Sequence, residues 1–287
     1  MSDAPVTVAY LGPSGTFSEL AVDRYFGPVV EKRPVTGIDD VFHAVEQGEA
    51  QHGVVPVENS TEGAVTITQE CLIDTRLSIC GEVYLPIMQH LLVADRTRQT
   101  PVRRIVSHRQ SLAQCRHWLR EHYPDVEQVA VSSNAEAARM AAADAGVGAI
   151  AGNHAAERFG LEVLHSGIQD RSNNTTRFLV LGYEPAKPTG KDKSSILVYT
   201  ENRPGSLLRV LEPFDRHQVS LTKIETRPSR DGIWAYVFFI DFEGHLDDGA
   251  VRDVFAELEN RTIKIHFLGS YAMADSEPGA RTASDAR

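Results

Sequence analysis

The stretch VTVAYLGPSGTFSELAVDRYF, residues 6–26, holds a strand, a turn and a helix in succession. Residues 6–12 form an apolar run of strand length, and residues 16–26 have helical spacing. This spacing places on one side of the helix Phe17, Leu20 and Tyr25 or Phe26. The same order recurs as far as Gly182, and strands that alternate with helices form parallel sheets covered on both faces. The stretch therefore predicts an α/β fold.

Further strand and helix signals divide this region into two lobes. A second amphipathic helix is predicted at 37–50, through Ile38, Val41, Phe42 and Val45. A strand at 52–60 ends in a polar loop, and strand–helix pairs follow at 103–122, 128–146 and 147–160. Residues 79–94 look extended, with Pro86 arguing against a helix. We interpret them as the segment that crosses from lobe one to a second lobe, and residues 171–182 as the segment that returns the chain to lobe one. Two α/β lobes joined by two crossings form a hinged cleft.

Beyond Gly182 the order of elements changes. Residues 184–193 are a linker rich in Pro and Lys, and the strands and helices of 194–272 follow the ferredoxin-like order βαββαβ. The predicted fold class is α/β, with a two-lobed, periplasmic-binding-protein-like first region and a ferredoxin-like domain. The first region is 1–183, with lobe one at about 1–80 and 168–183 and lobe two at about 81–167. Residues 273–287 are predicted to be a disordered tail.

Composition limits the classes of function. The 287 residues carry a formal net charge of −10, which argues against a nucleic-acid binder. The N-terminus shows no signal peptide, and no apolar run reaches membrane-spanning length, so we expect a soluble, cytoplasmic protein without membrane contact. Cys71, Cys80 and Cys115 lack metal-site spacing and are expected to be reduced thiols, largely buried.

Three predicted helices begin with the capping-box pattern: Thr16 with Glu19, Ser107 with Gln110, and Ser133 with Glu136. These residues can serve helix initiation alone. In parallel α/β sheets, however, the loops after strands lie at the edge where ligands bind, and helix N-termini there favour anions. The cleft is therefore suited to carboxylates.

Three polar loops adjoin predicted strands of lobe one: GPSGTFS (12–18), VENSTEG (57–63) and SNNTTRF (172–178). Arg177 could clamp a carboxylate. Glu58 could equally be a solvated charge, and His108 could be a general acid or a structural residue at a helix start. Nucleotide, metalloprotease and serine-hydrolase motifs are absent from the sequence, so a reaction without metal or organic cofactor, or binding alone, fits best.

The chain resembles prephenate dehydratase with a C-terminal ACT regulatory domain over nearly its whole length. The matching motifs are YLGPSGTFSE (10–19), GVVPVENSTEG (53–63), SHRQSLAQC (107–115), NTTRFLVLG (174–182), RPGSLLRVLEPF (203–214) and LTKIETRP (221–228). The family usually has Pro at position 109, Ala at 111 and Ser at 226, where this chain has Arg109, Ser111 and Thr226.

The resemblance implies conversion of prephenate to phenylpyruvate in phenylalanine biosynthesis, by a carbon–oxygen lyase that needs no cofactor or metal. It implies that Thr176 donates a hydrogen bond to the leaving hydroxyl, with Arg177 and Glu58 as further catalytic candidates. The candidate substrate-binding residues are Ser14, Thr16, Asn59, Ser60, His108, Asn173 and Thr175. Phe178 is expected to belong to the core.

The resemblance also implies feedback inhibition by phenylalanine at an ACT-domain subunit interface, in a homodimer or homotetramer. The candidate residues are Gly205, Ser206, Leu207, Glu225, Thr226, Arg227 and Pro228. Pro204 and Gly205 by themselves could simply shape a turn. Three alternatives stay open: arogenate dehydratase, a hinged-cleft binding protein without turnover, and an amino-acid sensor with an inactive first region.

Overall fold

The computed structural model describes residues 5–94, 100–228 and 236–274. The predicted turn at 229–232, the start of the strand predicted from 233, and most of the predicted tail lie outside these residues. The first lobe is built on a six-stranded sheet in the order β2-β1-β3-β11-β5, with β4 paired to β3. Its strands are β1 (Thr7–Leu11), β2 (Glu31–Val35), β3 (His52–Asn59), β4 (Gly63–Ala64), β5 (Ser78–Pro86) and β11 (Thr175–Gly182).

The helices that follow the strands of the first lobe are α1 (Phe17–Phe26), α2 (Ile38–Glu46) and α3 (Thr66–Asp74). Helix α1 is where it was predicted, but its buried face differs from the prediction: Ser18, Glu19, Ala21 and Val22 are buried, and Tyr25 is exposed. Small side chains let the helix approach the sheet closely. Glu19 tolerates burial because it accepts a hydrogen bond from the Gly15 backbone N–H.

The second lobe has a five-stranded sheet in the order β10-β6-β9-β7-β8. Its strands are β6 (His90–Ala94), β7 (Arg104–His108), β8 (Glu127–Val131), β9 (Val147–Ala151) and β10 (Leu161–His165). Its helices are α4 (Arg109–Gln114), α5 (Arg116–His122), α6 (Asn134–Ala143) and α7 (Asn153–Phe159). Neighbouring residues of β6 point to opposite faces of the sheet. Leu92 packs in the core with α6 on one face, and Leu91 packs with Leu119 of α5 on the other.

The sheet of the second lobe is mixed, whereas the sequence predicted a parallel one. Strand β7 is parallel to β8 and β9, but β6 is antiparallel to β9 and to β10. The chain enters this lobe from the first one, so β6 begins at the edge where β7 and β8 end. Its direction is therefore reversed.

One predicted helix, at 108–122, is two helices separated at Cys115. The carboxylate of Asp170 accepts hydrogen bonds from the backbone N–H groups of His117 (3.1 Å) and Trp118 (3.2 Å). The carbonyl of Gln114 accepts from the Asp170 backbone N–H (2.7 Å). Asp170 therefore starts a new helix from a distant part of the chain, which local periodicity does not reveal.

The C-terminal domain has the predicted βαββαβ order, with the antiparallel sheet β13-β14-β12-β15. Its elements are β12 (Asp192–Thr200), α8 (Ser206–Arg216), β13 (Leu221–Pro228), β14 (Tyr236–Glu243), α9 (Gly249–Leu258) and β15 (Lys264–Ala272). Strand β12 begins at Asp192, so the last two residues of the predicted linker lie in a strand. The two helices cover one face of the sheet through Val210, Phe214 and Val254.

Internal contacts divide the chain into two units, Met1–Gln69 with Val83–Phe178 and Glu70–Glu82 with Leu179–Arg287. Residues 70–80 and 179–183, predicted in lobe one, and residues 81–82, predicted at the start of lobe two, thus group with the C-terminal domain. In this second unit the Lys193 ammonium lies 2.8 Å from a carboxylate oxygen of Glu82, and both side chains are buried. Lobe two begins later than predicted, because β5 keeps residues 81–86 in the first sheet.

Candidate active site

A cavity of about 740 Å³ lies between the two lobes of the first unit. The ends of strands from both sheets form its wall. Leu11 and Asn59 end β1 and β3 of lobe one, and His108 ends β7 of lobe two. Thr176 lines the cavity near the start of β11, and Gln89 lines it from the crossing segment between the lobes.

Two ten-residue helices begin at this cavity. Helix α1 is capped by Thr16, whose hydroxyl accepts from the Glu19 backbone N–H (3.4 Å), and α6 is capped by Ser133, which accepts from the Glu136 backbone N–H (3.1 Å). Both caps line the cavity. Among the described residues that line it there is no Lys or Arg. Helix N-termini and hydroxyls are therefore the groups that can stabilise an anion here.

The third predicted capping box is wrong. Ser107 lies inside β7, and its hydroxyl donates to the Ile150 carbonyl (2.6 Å). The N-cap of α4 is His108, whose Nδ1 accepts from the Gln110 backbone N–H (3.4 Å). Since Nδ1 accepts, a neutral His108 carries its proton on Nε2 and can donate it.

The hydroxyl of Thr176 is held by the amide of Asn59, whose Nδ2 lies 2.9 Å from Oγ1 of Thr176. The orientation of this amide is fixed, because Oδ1 of Asn59 accepts from the backbone N–H groups of Thr61 (3.0 Å) and Glu62 (3.2 Å). Nδ2 therefore donates to Thr176. The Thr176 hydroxyl accepts that bond and keeps its own proton for a ligand.

The polar network continues through amides that the sequence did not single out. Nδ2 of Asn59 also donates to Oδ1 of Asn174 (2.8 Å), and Nδ2 of Asn174 donates to Oε1 of Gln114 (3.2 Å). Nε2 of Gln114 in turn donates to Glu62 (3.1 Å). Gln114 belongs to lobe two and the others to lobe one. Both Asn174 and Gln114 stand inside motifs quoted above, and a count of amides in those loops would have found them.

Ser111, where the family usually has Ala, is buried beside this network. Its hydroxyl lies 3.2 Å from Nε2 of Gln89 and 3.0 Å from Oδ1 of Asn134, and all three residues line the cavity. The departure from the family pattern therefore adds a hydroxyl to the wall contributed by lobe two.

The structure brings together the predicted residues Ser14, Thr16, Asn59, His108 and Thr176, all of which line the cavity. It does not bring there Glu58, Ser60, Asn173, Thr175 and Arg177.

The reason is the alternation of side chains along a strand. Asn59 and Thr176 face the cavity, so their strand neighbours Glu58, Thr175 and Arg177 face away, and Arg177 is buried. Ser60 instead fixes the loop: its hydroxyl donates to the Asn173 carbonyl and accepts from the Thr175 N–H, both at 2.9 Å. Arg177 is thus not placed as a carboxylate clamp at this cavity. Phe178 is in the core, as expected.

The candidate regulatory residues lie at two places in the C-terminal domain. Gly205 is the N-cap of α8, with φ of +80°, and Ser206 and Leu207 open that helix. Glu225, Thr226, Arg227 and Pro228 end β13, the edge strand of the sheet. Strand β14 lies between β13 and β12, the strand that precedes α8, so the two stretches do not lie on neighbouring strands.

Within residues 5–94, 100–228 and 236–274, no cluster of three or more His, Cys, Asp or Glu is arranged to hold a metal ion. In the same part of the chain no helix has both the length and the apolar character needed to cross a membrane. The three cysteines are free thiols, and burial raises the pKa of Cys80 to about 11 and that of Cys115 to about 12.

A cleft between two α/β lobes, walled by helix N-termini, together with a βαββαβ domain defines a two-lobed α/β protein whose cleft suits an anionic ligand. Residues 8–186 match the prephenate dehydratase family model, and residues 194–260 match the ACT domain model. The chain belongs to the prephenate dehydratase family.

Individual proteins agree with this assignment. A bifunctional chorismate mutase/prephenate dehydratase of Pseudomonas aeruginosa is 49% identical over 272 residues, which are 95% of this chain and 74% of that protein. The crystal structure of a prephenate dehydratase from Arthrobacter aurescens in complex with L-Phe is 35% identical, with a TM-score of 0.86 over 96% of this chain and 93% of that one.

A solved structure described as a quorum-quenching acylase has 28% identity and a TM-score of 0.85, over 94% of this chain and 98% of that one. The fold alone therefore does not decide the chemistry. The family matches confirm the resemblance, the two-part fold class and the prediction of a lyase, and they do not favour the alternatives.

Proposed function

We propose that the protein converts prephenate to phenylpyruvate in the cavity between its lobes. One observation carries the proposal: the Thr176 hydroxyl faces the cavity with its oxygen already accepting from Asn59. In this reaction the bond to the ring carboxylate breaks and releases CO2, and its electron pair enters the ring. The bond to the hydroxyl on the opposite ring carbon then breaks, the hydroxide takes up one proton, and the ring becomes aromatic.

Because CO2 leaves rather than a proton, the reaction needs no base. It needs a donor to the departing hydroxyl, and Thr176 is oriented to be that donor. A threonine is a weak acid, so its contribution is a directed hydrogen bond. Such preorganised donors, together with proton transfer, contribute about 10²–10⁴ in rate.

We assign the relay of the proton to His108. Of the described residues that line the cavity, His108 alone carries an imidazole, and its Nε2 is placed to donate a proton. Glu58, the other candidate, is on the far side of β3 from the cavity. The described residues that line the cavity include no Lys or Arg. We therefore assign the binding of the two prephenate carboxylates to the N-termini of α1 and α6 and to the hydroxyls of Ser14, Thr16 and Ser133.

We further propose that L-phenylalanine binds the ACT domain and lowers activity. Support comes from the A. aurescens relative, which was solved with L-Phe, and from the exposed N-terminus of α8 at Gly205. Binding is assigned to an interface between two chains. Apolar side chains in or next to the two candidate stretches are partly exposed: Leu207 of α8 at 37%, and Ile224, which precedes Glu225 in β13, at 41%. A dimer or tetramer could bring the end of β13 to α8 of a partner.

The deciding experiment measures phenylpyruvate formation from prephenate and from arogenate, each with and without added L-phenylalanine. We expect turnover of prephenate, slower turnover of arogenate, and inhibition by L-phenylalanine. Arogenate as the better substrate would assign the protein to the alternative dehydratase activity. No turnover of either substrate would leave a binding protein, and an unchanged rate with L-phenylalanine would remove the regulatory proposal.

A further inference from the structure

Two residues of α7 in lobe two contact lobe one beside the cavity, one at the loop before α1 and the other at the first turn of α1. Nε2 of His154 lies 3.0 Å from the Gly15 carbonyl oxygen, and Nη1 of Arg158 lies 3.8 Å from Oε1 of Glu19. His154 and Arg158 are four residues apart and lie on one face of α7. Their partners Gly15 and Glu19 are also four residues apart, so this face meets the start of α1 at two successive points.

The contact is close enough to constrain the sequence. A Cβ built on Gly15, which has φ of +90°, would lie 3.0 Å from the Phe159 ring and 3.5 Å from the Arg158 side chain. A larger residue would be strained by its backbone and would press on α7. The His154 ring also packs edge-on against Phe17, with centroids 4.9 Å apart. Phe17 lines the cavity, so the contact reaches the wall of the site.

The direction of the hydrogen bond follows from its atoms. A backbone carbonyl can only accept, so Nε2 of His154 carries the proton and donates. Burial lowers the pKa of His154, which favours a neutral ring with its single proton on Nε2.

The contact between Arg158 and Glu19 can also be broken without leaving either charge buried and unpaired. Glu19 keeps the Gly15 N–H and the ammonium of Lys32, 3.4 Å away, if Arg158 withdraws. Arg158 is half exposed, with 49% of its side-chain surface accessible, so water can replace its partner. An interaction of this kind suits two lobes that separate and close again.

We propose that His154, assisted by Arg158, is a positioning residue that latches the Gly12–Thr16 loop of lobe one onto lobe two when the cleft is closed. The kinetic role rests on the proposed function, because the latched loop presents Ser14 and Thr16 to the substrate. The structural role does not depend on the reaction.

The test uses hydrogen exchange of the intact 287-residue chain without ligand, read from peptides that cover residues 12–19. His154→Phe keeps an aromatic ring against Phe17 but removes the donor, and it is expected to raise exchange in this segment about 2- to 10-fold, the effect of one neutral hydrogen bond. His154→Gln supplies an amide donor and should restore part of the protection. Arg158→Gln changes a half-exposed side chain and should raise exchange at residues 12–19 by less. This variant also tests the latch if His154→Phe does not fold.

The matched control is His122→Phe. His122 is also in lobe two and stacks on Trp118, with centroids 4.4 Å apart. This variant should leave exchange at 12–19 at the wild-type level. Unchanged exchange at 12–19 in both His154→Phe and Arg158→Gln would overturn the latch.

Kinetics with prephenate supply an independent readout. His154→Phe should raise KM about 2- to 10-fold and lower kcat less, with recovery in His154→Gln. Raised exchange with unaltered KM would overturn the positioning role. A wild-type protein that does not act on prephenate would overturn the proposed function, while the exchange result would still decide the latch.

Discussion

The amide nitrogen of Asn59 lies 2.9 Å from the hydroxyl oxygen of Thr176, although 117 positions separate the two residues in the chain. Asn59 ends β3 and Thr176 lies near the start of β11, and these strands are neighbours in the first sheet. The sheet thus brings together a donor that fixes the hydroxyl oxygen and a hydroxyl whose proton remains available. The first two predictions test this pair.

Thr176→Val, which keeps the shape of the side chain and removes the hydroxyl, should lower kcat for prephenate about 10²–10⁴-fold. Thr176→Ala should behave similarly and leave the fold intact, as circular dichroism would show. The control is Thr175→Val, a change of the adjacent threonine, which faces away from the cavity. Near wild-type turnover in Thr176→Val would remove this residue from the mechanism.

Asn59→Asp changes the group that faces Thr176 from a donor to an acceptor with almost no change in shape. The Thr176 hydroxyl would then donate to the new carboxylate instead of to the substrate. We expect kcat to fall about 100-fold with little change in KM, because an interaction that matters in the transition state is lost. Steady-state kinetics measure both constants, and a rise in KM at constant kcat would contradict the assigned orientation.

The buried pair of Glu82 and Lys193 should matter for stability. Glu82→Gln removes the carboxylate charge 2.8 Å from the buried Lys193 ammonium and should destabilise the C-terminal unit by about 3–5 kcal/mol. The double variant Glu82→Leu/Lys193→Met removes both charges and should lie much closer to the wild type. Urea denaturation followed by circular dichroism compares them. A double variant less stable than Glu82→Gln would show that the pair is a net source of stability.

Gly205→Ala should weaken inhibition by L-phenylalanine. Position 205 has φ of +80°, where an alanine is strained by about 1–2 kcal/mol, so the start of α8 would relax away from its present shape. We expect the L-phenylalanine concentration for half inhibition to rise about 10-fold with uninhibited turnover unchanged. Gly190→Ala is the control, since Gly190 has φ of +85° outside this helix. Equal effects of the two changes would show that backbone strain need not lie at the start of α8 to weaken inhibition.

Local signals in the sequence were enough for most of the architecture. The alternation of strands and helices predicted both lobes, and the change of order after Gly182 predicted the βαββαβ domain. The strand β2, EKRPV, was missed because an exposed edge strand with three charges and a proline lacks apolar alternation. The short strand β10 was missed as well. Only its first residue is buried, so its sequence shows no regular alternation of buried and exposed positions.

For the site, the residue pattern by itself pointed to the polar loops, because polar residues that follow or precede buried strands gather at one edge of a sheet. The resemblance to the family, and not the pattern, singled out Thr176. The pattern did not separate Thr176 from Arg177, since the polar loop was considered as a cluster rather than as a strand with two faces.

Only the tertiary structure decided which face meets the cavity, which way the Asn59 amide points, and that α7 reaches Gly15 from the other lobe. These features depend on contacts between residues far apart in the chain, and hydrogen-bond direction is set by partners that no local pattern contains.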